Sequence, residues 1–249
     1  MKEEKIYNKL AKYYLFISQI GLYKKTGHVR EAKIIKKLIK KHKKSKGNSL
    51  LMVASGLGLH DKFLKKDFKI IGIDKNEGML RISRKINPDI KYKKGDMKTF
   101  KLNKKFDIVM CMDALPHLIT YKNLKSALKN FSRHLKKDGI LMFSLDPVKK
   151  SFKEMDMEKY SKSDLEVTLI HDNHLRNKRD NVFDSCMIFI IKERDKKMKV
   201  YIDKGPCGLF EVSKVKKIIS KLGFKSYVYE SYSFKKYRKE NPVFVCLKK

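Results

Sequence analysis

Between Ser49 and Asp146 short apolar runs alternate with helical stretches, and this rhythm restricts the chain more than any other feature. The runs are Leu50–Ala54, Lys69–Ile73, Ile90–Tyr92, Phe106–Met112 and Ile140–Leu145, and the stretches between them include Asn76–Lys85 and Tyr121–Lys136. Strands that are short and continuously apolar are buried on both faces. When helices separate them they pair in parallel through right-handed crossovers, with helices on both sides of the sheet. Near the end, a helical stretch over Glu211–Leu222 is followed by Ser226–Glu230 and Pro242–Leu247, which bring the expected strands to seven. Ahead of the alternation, residues 4–44 read as helices: Leu10, Ala11 and Tyr14, then Ile34, Ile35, Leu38 and Ile39, make one apolar stripe per helix. After Asp146 the pattern changes to alternating segments over Leu165–His171, Val182–Ile191 and Met198–Ile202, with a polar turn at Arg176–Asp180, which predicts a small antiparallel excursion. The expected fold is α/β: a seven-stranded, mostly parallel sheet with helices on both faces. An N-terminal helical cap is expected over 1–47, the parallel core over 48–146, the excursion over 147–205, and a helix and strands completing the sheet over 206–249.

With 249 residues, 42% hydrophobic and 35% charged, the chain can bury a sizeable core, which excludes disorder as its main state. Lys and Arg number 61 against 27 Asp and Glu, a surplus of 34 that would attract polyanions or acidic small molecules. Only eight of these cations are arginine, so the surplus is mostly lysine point charge rather than planar forks for phosphate. A lysine-rich surface is also what a hot habitat leaves behind. Cys111, Cys186, Cys207 and Cys246 are scattered without metal-type pairing, and Met1–Leu15 holds no apolar signal core. No apolar run approaches the roughly 20 residues of a membrane span. These features predict a reducing, cytoplasmic setting and no membrane.

Chemistry concentrates at the ends of the predicted strands. Leu50 to His60 is a buried strand running into a Gly56-Leu57-Gly58 turn at a helix start, where glycines let backbone approach a ligand closely. Asp74 ends the next strand, eighteen positions past Gly56, where a carboxylate can take both hydroxyls of a ribose or can cap the helix Asn76–Lys85. The third glycine of a dinucleotide fingerprint would fall at Asp61, which argues against NAD or FAD. Gly95-Asp96-Met97 follows the third strand, although a turn aspartate needs no ligand, and Phe106 to Leu118 forms the fourth piece.

In this order the pieces resemble the class I S-adenosylmethionine (SAM) dependent methyltransferases, whose core runs strand, Gly-rich turn, acidic residue, Gly-Asp-x, then Phe-Asp-x-Val-x-x-x-x-x-Leu-x-His. That last pattern is met at Phe106, Asp107, Val109, Leu115 and His117, and Leu135 to Leu141 is similar to the family's segment before strand five. The resemblance spans Ser49 to about Leu145 and implies a Rossmann-like fold with SAM as cofactor. Tyr7 to Tyr14, Gly95 through Phe100, and Gly208-Leu209-Phe210 look most like enzymes that N-methylate nucleotide-linked amino sugars. On this resemblance the turn of Ala54, Ser55, Gly56 and Gly58 would pass close to the methionine end of SAM, and Asp74 would hold its ribose. Asp96 would bind the adenine amino group, Met79 and Met97 would flank the adenine, and Met112 with Asp113 would lie beside the sulfonium. Tyr14 and His117 would face the acceptor as catalytic residues. Read alone, the methionines and Tyr14 also suit core packing, and His117 suits an ordinary helix start beside Pro116. The chain departs from the family at Met52, where Asp or Glu is common, at Leu15, where Asp is usual, and at Ser55 and Leu57.

Methyl transfer is an in-line displacement that needs an aligned acceptor and excluded water, and no metal. His171 and His174 lack a matching third ligand, so no metal site is expected. An amine acceptor must arrive deprotonated, a task for His117 or Asp113, with Tyr14 positioning it. The expected activity is methyl transfer to a small, anionic acceptor such as the amine of a nucleotide-linked sugar. Two alternatives stand beside it: an RNA methyltransferase with Lys33–Lys46 as phosphate track, and a non-enzymatic SAM-binding protein, suggested by Met52 and Leu15. Nothing in the pattern specifies an oligomeric state.

Overall fold

The structure, a computed structural model, describes residues 5–22, 25–177, 180–230 and 241–248. Of the expected features, residues 4, 23 and 24 of the helical segment and 178 and 179 of the Arg176–Asp180 turn lie outside the described residues. The chain opens with α1 (Lys5–Asn8), α2 (Ala11–Ile17) and α3 (Lys25–His42). The alternating core follows as β1 (Ser49–Val53), α4 (Leu59–Leu64), β2 (Lys69–Asp74), α5 (Glu77–Ile86), β3 (Lys91–Lys94), β4 (Phe106–Cys111), α6 (Tyr121–Arg133) and β5 (Leu135–Ser144). Four antiparallel strands come next: β6 (Met155–Lys162), β7 (Leu165–His174), β8 (Val182–Glu193) and β9 (Lys199–Gly208). The chain ends with α7 (Val212–Lys221), β10 (Phe224–Tyr229) and β11 (Val243–Lys248).

The large sheet has seven strands in the order β10-β11-β5-β4-β1-β2-β3. The pairs among β1 to β5 are parallel, and β11 inserts antiparallel between β5 and β10. Because both faces are covered, β1 buries nearly every residue. Leu51 and Val53 point into a core shared with Leu124 and Phe131 of α6 and Val215 and Ile219 of α7. Leu50 and Met52 point into the opposite core, shared with Ile35, Leu38 and Ile39 of α3 and Leu80 of α5. Each large side chain buried this way contributes about 1.5–3 kcal/mol. Thr120 starts α6 by accepting the Asn123 N–H at 3.2 Å, the usual work of an N-cap hydroxyl.

Several elements differ from the sequence reading, β7 and β9 among them, which run on to His174 and Gly208 past the expected His171 and Ile202. Strand β5 begins at Leu135 rather than Ile140, and α6 stops at Arg133. The His134 carbonyl accepts the Phe106 N–H at 2.8 Å and Leu135 pairs with Phe106, so burial of Leu135 draws the chain into the sheet before the helical pattern has ended. The excursion has four strands, not three. The added one, β6, is a polar edge strand with only Tyr160 buried, so its sequence carries little apolar alternation. Strand β3 runs through Lys94, past the predicted end at Tyr92, as another lysine-rich edge with one buried residue.

The helices of the N-terminal segment have two destinations. α3 belongs to the helical layer of the large sheet, while Ile6, Leu10, Tyr13 and Ile17 pack on Val167, Leu169, Phe189 and Ile191 of the small one. Asp203 accepts the Ile6 N–H at 3.1 Å and Glu193 accepts the Tyr13 hydroxyl at 2.8 Å, tying α1 and α2 to β9 and β8. A Cβ on Gly78, in the first turn of α5, would lie 2.6 Å from the Asn8 backbone, so this glycine lets α1 reach the core. Among the described residues, no helix is long and apolar enough to cross a membrane.

Candidate active site

Strand β1 connects to β2 on one side while β4 lies on its other side, so the strand order reverses at β1/β4. Ligands in open α/β sheets occupy the crevice beyond the strand ends at such a point. A cavity of about 480 Å3 opens there. Its floor is made by the turns after four strands: Ala54, Ser55 and Gly56 after β1, Asp74 and Lys75 at β2, Gly95 to Lys98 after β3, and Met112 and Asp113 after β4. Its roof is Tyr7 and Tyr14, with His117 from the 3-10 turn Leu115–Leu118.

Backbone geometry sets the floor. The Ser55 N–H reaches the Ile73 carbonyl at 2.9 Å and the Gly95 N–H reaches the Asp74 carbonyl at 2.9 Å, locking three strand ends together. Gly56 has φ +54°, and a Cβ there would meet nothing within 4 Å, so its constraint is conformational and its open side faces the cavity. Gly58 is different. It adopts φ +70° at the start of α4, and a Cβ would come 2.6 Å from the Tyr92 hydroxyl, so packing demands glycine; unlike Gly56, it does not line the cavity. Three non-glycine residues on the cavity wall, Ala54, Asp113 and Ile119, also have positive φ. Such residues cost on the order of 1–3 kcal/mol each and cluster at functional sites.

Asp74 is buried and accepts two backbone N–H groups, Gly56 at 2.8 Å and Asn76 at 2.9 Å, one on each oxygen. Burial raises its pKa, and the two N–H bonds oppose the rise. It thus joins the β1 turn to the start of α5, and each oxygen keeps a lone pair beyond these bonds. The helix-capping alternative is met in part, since Asp74 does hold the Asn76 N–H. Asp96 accepts the Lys98 N–H at 2.7 Å and lies at the cavity with Met97. Met79 and Met112 line it too, both largely buried. Asp113 is anchored to the end of β5: Ser144 Oγ accepts its N–H and donates to its Oδ1, both at 2.7 Å.

Of the residues expected at a site, Ala54, Ser55, Gly56, Asp74, Met79, Asp96, Met97, Met112, Asp113, Tyr14 and His117 meet at this one cavity. Gly58, also expected there, does not; Met52, where the family commonly has an acid, lies with its side chain in the core under α3, so the exchange leaves no buried charge there. Asp61, at the position of the absent third glycine, is buried and accepts the Tyr92 hydroxyl at 2.8 Å, and burial pushes its pKa up to about 6. His171 and His174 stand an odd number of residues apart on β7 and so point to opposite faces, as expected of residues that share no site.

The sequence reading missed the partner of His117. Tyr7 Oη lies 3.2 Å from His117 Nε2 with the rings edge-on at 5.5 Å, and Tyr14 packs edge-on against Tyr7 at 5.9 Å. Tyr7 and Tyr14 lie on separate helices, α1 and α2, so no helical spacing marked the pair. His28 and His60 also line the cavity, from α3 and α4, and no local pattern joins them.

Comparison with known proteins shows what the chain and its fold are similar to. Residues 50–139 match the family described as a methyltransferase domain. The chain is 36% identical over 115 residues to a dTDP-3-amino-3,6-dideoxy-alpha-D-glucopyranose N,N-dimethyltransferase of Streptomyces fradiae, which covers 45% of each chain. It is also 36% identical over 97 residues to a dTDP-3-amino-3,4,6-trideoxy-alpha-D-glucopyranose N,N-dimethyltransferase of Streptomyces venezuelae, covering 38% of this chain and 41% of that one. These matched stretches span a little under half the length of the curated relatives. In fold the chain is similar to Streptomyces venezuelae DesVI, with a TM-score of 0.81 at 22% identity over 96% of this chain and 97% of that one. SAM-bound CalS10, an amino pentose methyltransferase from Micromonospora echinaspora, gives 0.76 at 20% identity over 89% and 92%. The chain thus resembles class I SAM-dependent methyltransferases, and amino-sugar N-methyltransferases among them.

Proposed function

We propose that this chain is a SAM-dependent methyltransferase that methylates an amine on a small, nucleotide-linked sugar. The observation that carries the reading is that Asp74, Asp96 and the Gly56 turn form one wall of the cavity whose opposite wall holds the Tyr7–His117 pair. The residues present suit the cofactor. Gly56 leaves its Cβ side open, the carboxylate of Asp74 retains acceptor capacity after its two backbone bonds, and the volume is that of a typical small-molecule site.

When bound, SAM supplies an electrophilic methyl carbon on a sulfonium. Asp74 would accept from its ribose hydroxyls and Asp96 from its adenine amino group, with Met79 and Met97 flanking the adenine. Ala54, Ser55 and Gly56 would hold its methionine end, with Met112 at the same cavity. His117 takes the acceptor's proton through Tyr7, whose hydroxyl hands its own proton to Nε2 as it receives the acceptor's. Tyr14 backs Tyr7 and narrows access for water. The chain's surplus of 34 positive charges favours an acceptor that brings negative charge, as a nucleotide diphosphate does. In this reading 48–146 and 206–249, with α3 packed on them, form the cofactor-holding core, while α1, α2 and 147–205 shape the acceptor side. Four free cysteines suit a reducing cytoplasm.

The test is a calorimetric titration with SAM, then incubation with dTDP-linked amino sugars or transfer RNA, read by mass spectrometry. The expected result is SAM binding and a methyl gain on an amino sugar, with turnover that depends weakly on salt. An absence of SAM binding by folded protein would overturn the reading. So would methylation confined to RNA, with the steep salt dependence of counterion release.

A further inference from the structure

Two helices bring three ligating side chains to one point behind the cavity wall. His28 and Glu31 stand one turn apart on α3, His60 lies on α4, and a ligand atom from each falls within 4.8 Å of the other two. Glu31 Oε2 is 3.1 Å from His60 Nε2 and 3.9 Å from His28 Nδ1. In a tetrahedral site with metal–ligand bonds of about 2.0–2.1 Å, neighbouring ligand atoms are about 3.3 Å apart, so the two observed separations bracket that spacing.

The surroundings hold the three groups in this arrangement. His28 and Glu31 are each 5% exposed, and a carboxylate so far from water has to be compensated by positive charge. Phe63 of α4 stacks on the His28 ring with 18° between planes, while the His28 and His60 rings stand at 88° with centroids 5.6 Å apart. The two rings therefore approach one carboxylate from different directions. An ion pair needs only one histidine; the approach of the second to the same carboxylate is what a three-ligand site requires. His28 and His60 line the cavity and Glu31 stands behind them, so a further coordination position would face the cavity.

We propose that His28, Glu31 and His60 bind a zinc-class divalent cation at the cavity wall, with one coordination position open to water or to an anionic oxygen of the cavity's ligand. Two imidazole nitrogens and one carboxylate oxygen form a donor set that suits zinc and leaves such a position. The cation would also link α3 to α4 beside the turn that begins at Gly58. Because the proposal concerns binding by this chain's own side chains, it stands or falls separately from methyl transfer.

The test uses the full-length chain, freed of metal by a chelator and titrated with zinc chloride in a calorimeter. One equivalent should bind and raise the melting temperature. Glu31→Gln, which keeps the shape of the side chain, and His60→Asn should each weaken binding by on the order of tenfold or more, at least the loss caused by removing an outer-shell partner. Cobalt(II) in place of zinc should give the visible bands of a tetrahedral nitrogen and oxygen site without thiolate charge transfer, a readout on wild-type protein that does not depend on the variants folding. Zinc affinity unchanged in both variants, thiolate bands in the cobalt spectrum, or no binding to folded wild type would each overturn the site and leave an ion-pair cluster.

Discussion

The wall of the cavity that carries Gly56, Asp74 and Asp96 is made of successive strand ends of one parallel sheet, whereas Tyr7, Tyr14 and His117 reach it from two short helices and a 3-10 turn. The first wall is held by backbone hydrogen bonds between strand ends, with the Asp74 carboxylate accepting the Gly56 and Asn76 N–H groups beside them. The second is held by side chains: α1 and α2 rest on β7 and β8 through Ile6, Leu10, Tyr13 and Ile17, and the Tyr7–His117 contact joins positions 110 residues apart. A wall fixed by backbone suits a ligand that is always the same. A wall fixed by side chains on an added sheet can be altered without disturbing the core, as an acceptor site must be between relatives with different substrates.

The largest effect should come from breaking the second wall alone. His117→Ala removes the proposed base and should lower kcat by about 10²- to 10⁴-fold, the range for general base catalysis. Tyr7→Phe, which keeps the ring and loses the hydroxyl that relays the proton, should lower it comparably. Calorimetry should find SAM affinity within about twofold of wild type in both, because neither substitution removes a group assigned to the nucleoside, and Tyr7→Phe keeps the ring that packs beside Met79. An equal loss of affinity and rate would show that the two walls are one unit.

The same contrast explains how much could be read in the sequence. Strands β1, β2 and β4 and the residues at their ends were legible because each strand, its turn and its helix lie within some thirty residues, and burial on both faces writes a continuous apolar run. Asp74 follows Gly56 at a distance set by one helix and one strand, so spacing alone brings them together. Tyr7 and His117 have no such rule, since their meeting depends on how α1 packs against the small sheet. His28 and His60 meet only because α3 packs on α4. The polar edges β3 and β6 were misjudged for a related reason: with one buried residue each, they carry too little apolar pattern to mark their ends.

A second prediction concerns what the backbone-held wall costs. Beneath the Gly58 turn, Asn87 donates to the Gly58 carbonyl at 2.9 Å and to the Tyr92 hydroxyl at 3.0 Å, and Tyr92 donates to buried Asp61. The Asp61 pKa of about 6 lies above that of an unfolded carboxyl, so between these values the folded chain holds a proton that the unfolded chain has lost. Stability from this group is full below the unfolded pKa and is lost as pH rises through about 6, by about 3 kcal/mol in total. Asp61→Asn keeps an acceptor for Tyr92 and cannot ionise. Urea unfolding across this pH range should therefore show the variant gaining on the wild type as pH rises. Curves that stay parallel would mean that Asp61 ionises as easily in the folded chain as in the unfolded one.

The smallest of the three effects tests the first wall directly. Asp74→Asn retains the shape of the side chain but replaces one oxygen by an amide nitrogen, so it can accept only one of the Gly56 and Asn76 N–H groups, and its acceptor capacity toward a ribose falls. SAM affinity should drop by about 1.5–3 kcal/mol, roughly 10- to 150-fold, the range for hydrogen bonds to a charged group. Burial already raises the Asp74 pKa, so in wild type the carboxylate is lost at a higher pH than an exposed one would be. Affinity for SAM should then weaken as the medium is acidified through that raised pKa, and Asp74→Asn should remove this component of the pH dependence. An affinity that the substitution leaves unchanged would reduce Asp74 to a tie between the β1 turn and α5. The β1 turn would then meet its ligand through backbone alone, and on the floor of the cavity Asp96 would be left as the carboxylate that holds the nucleoside.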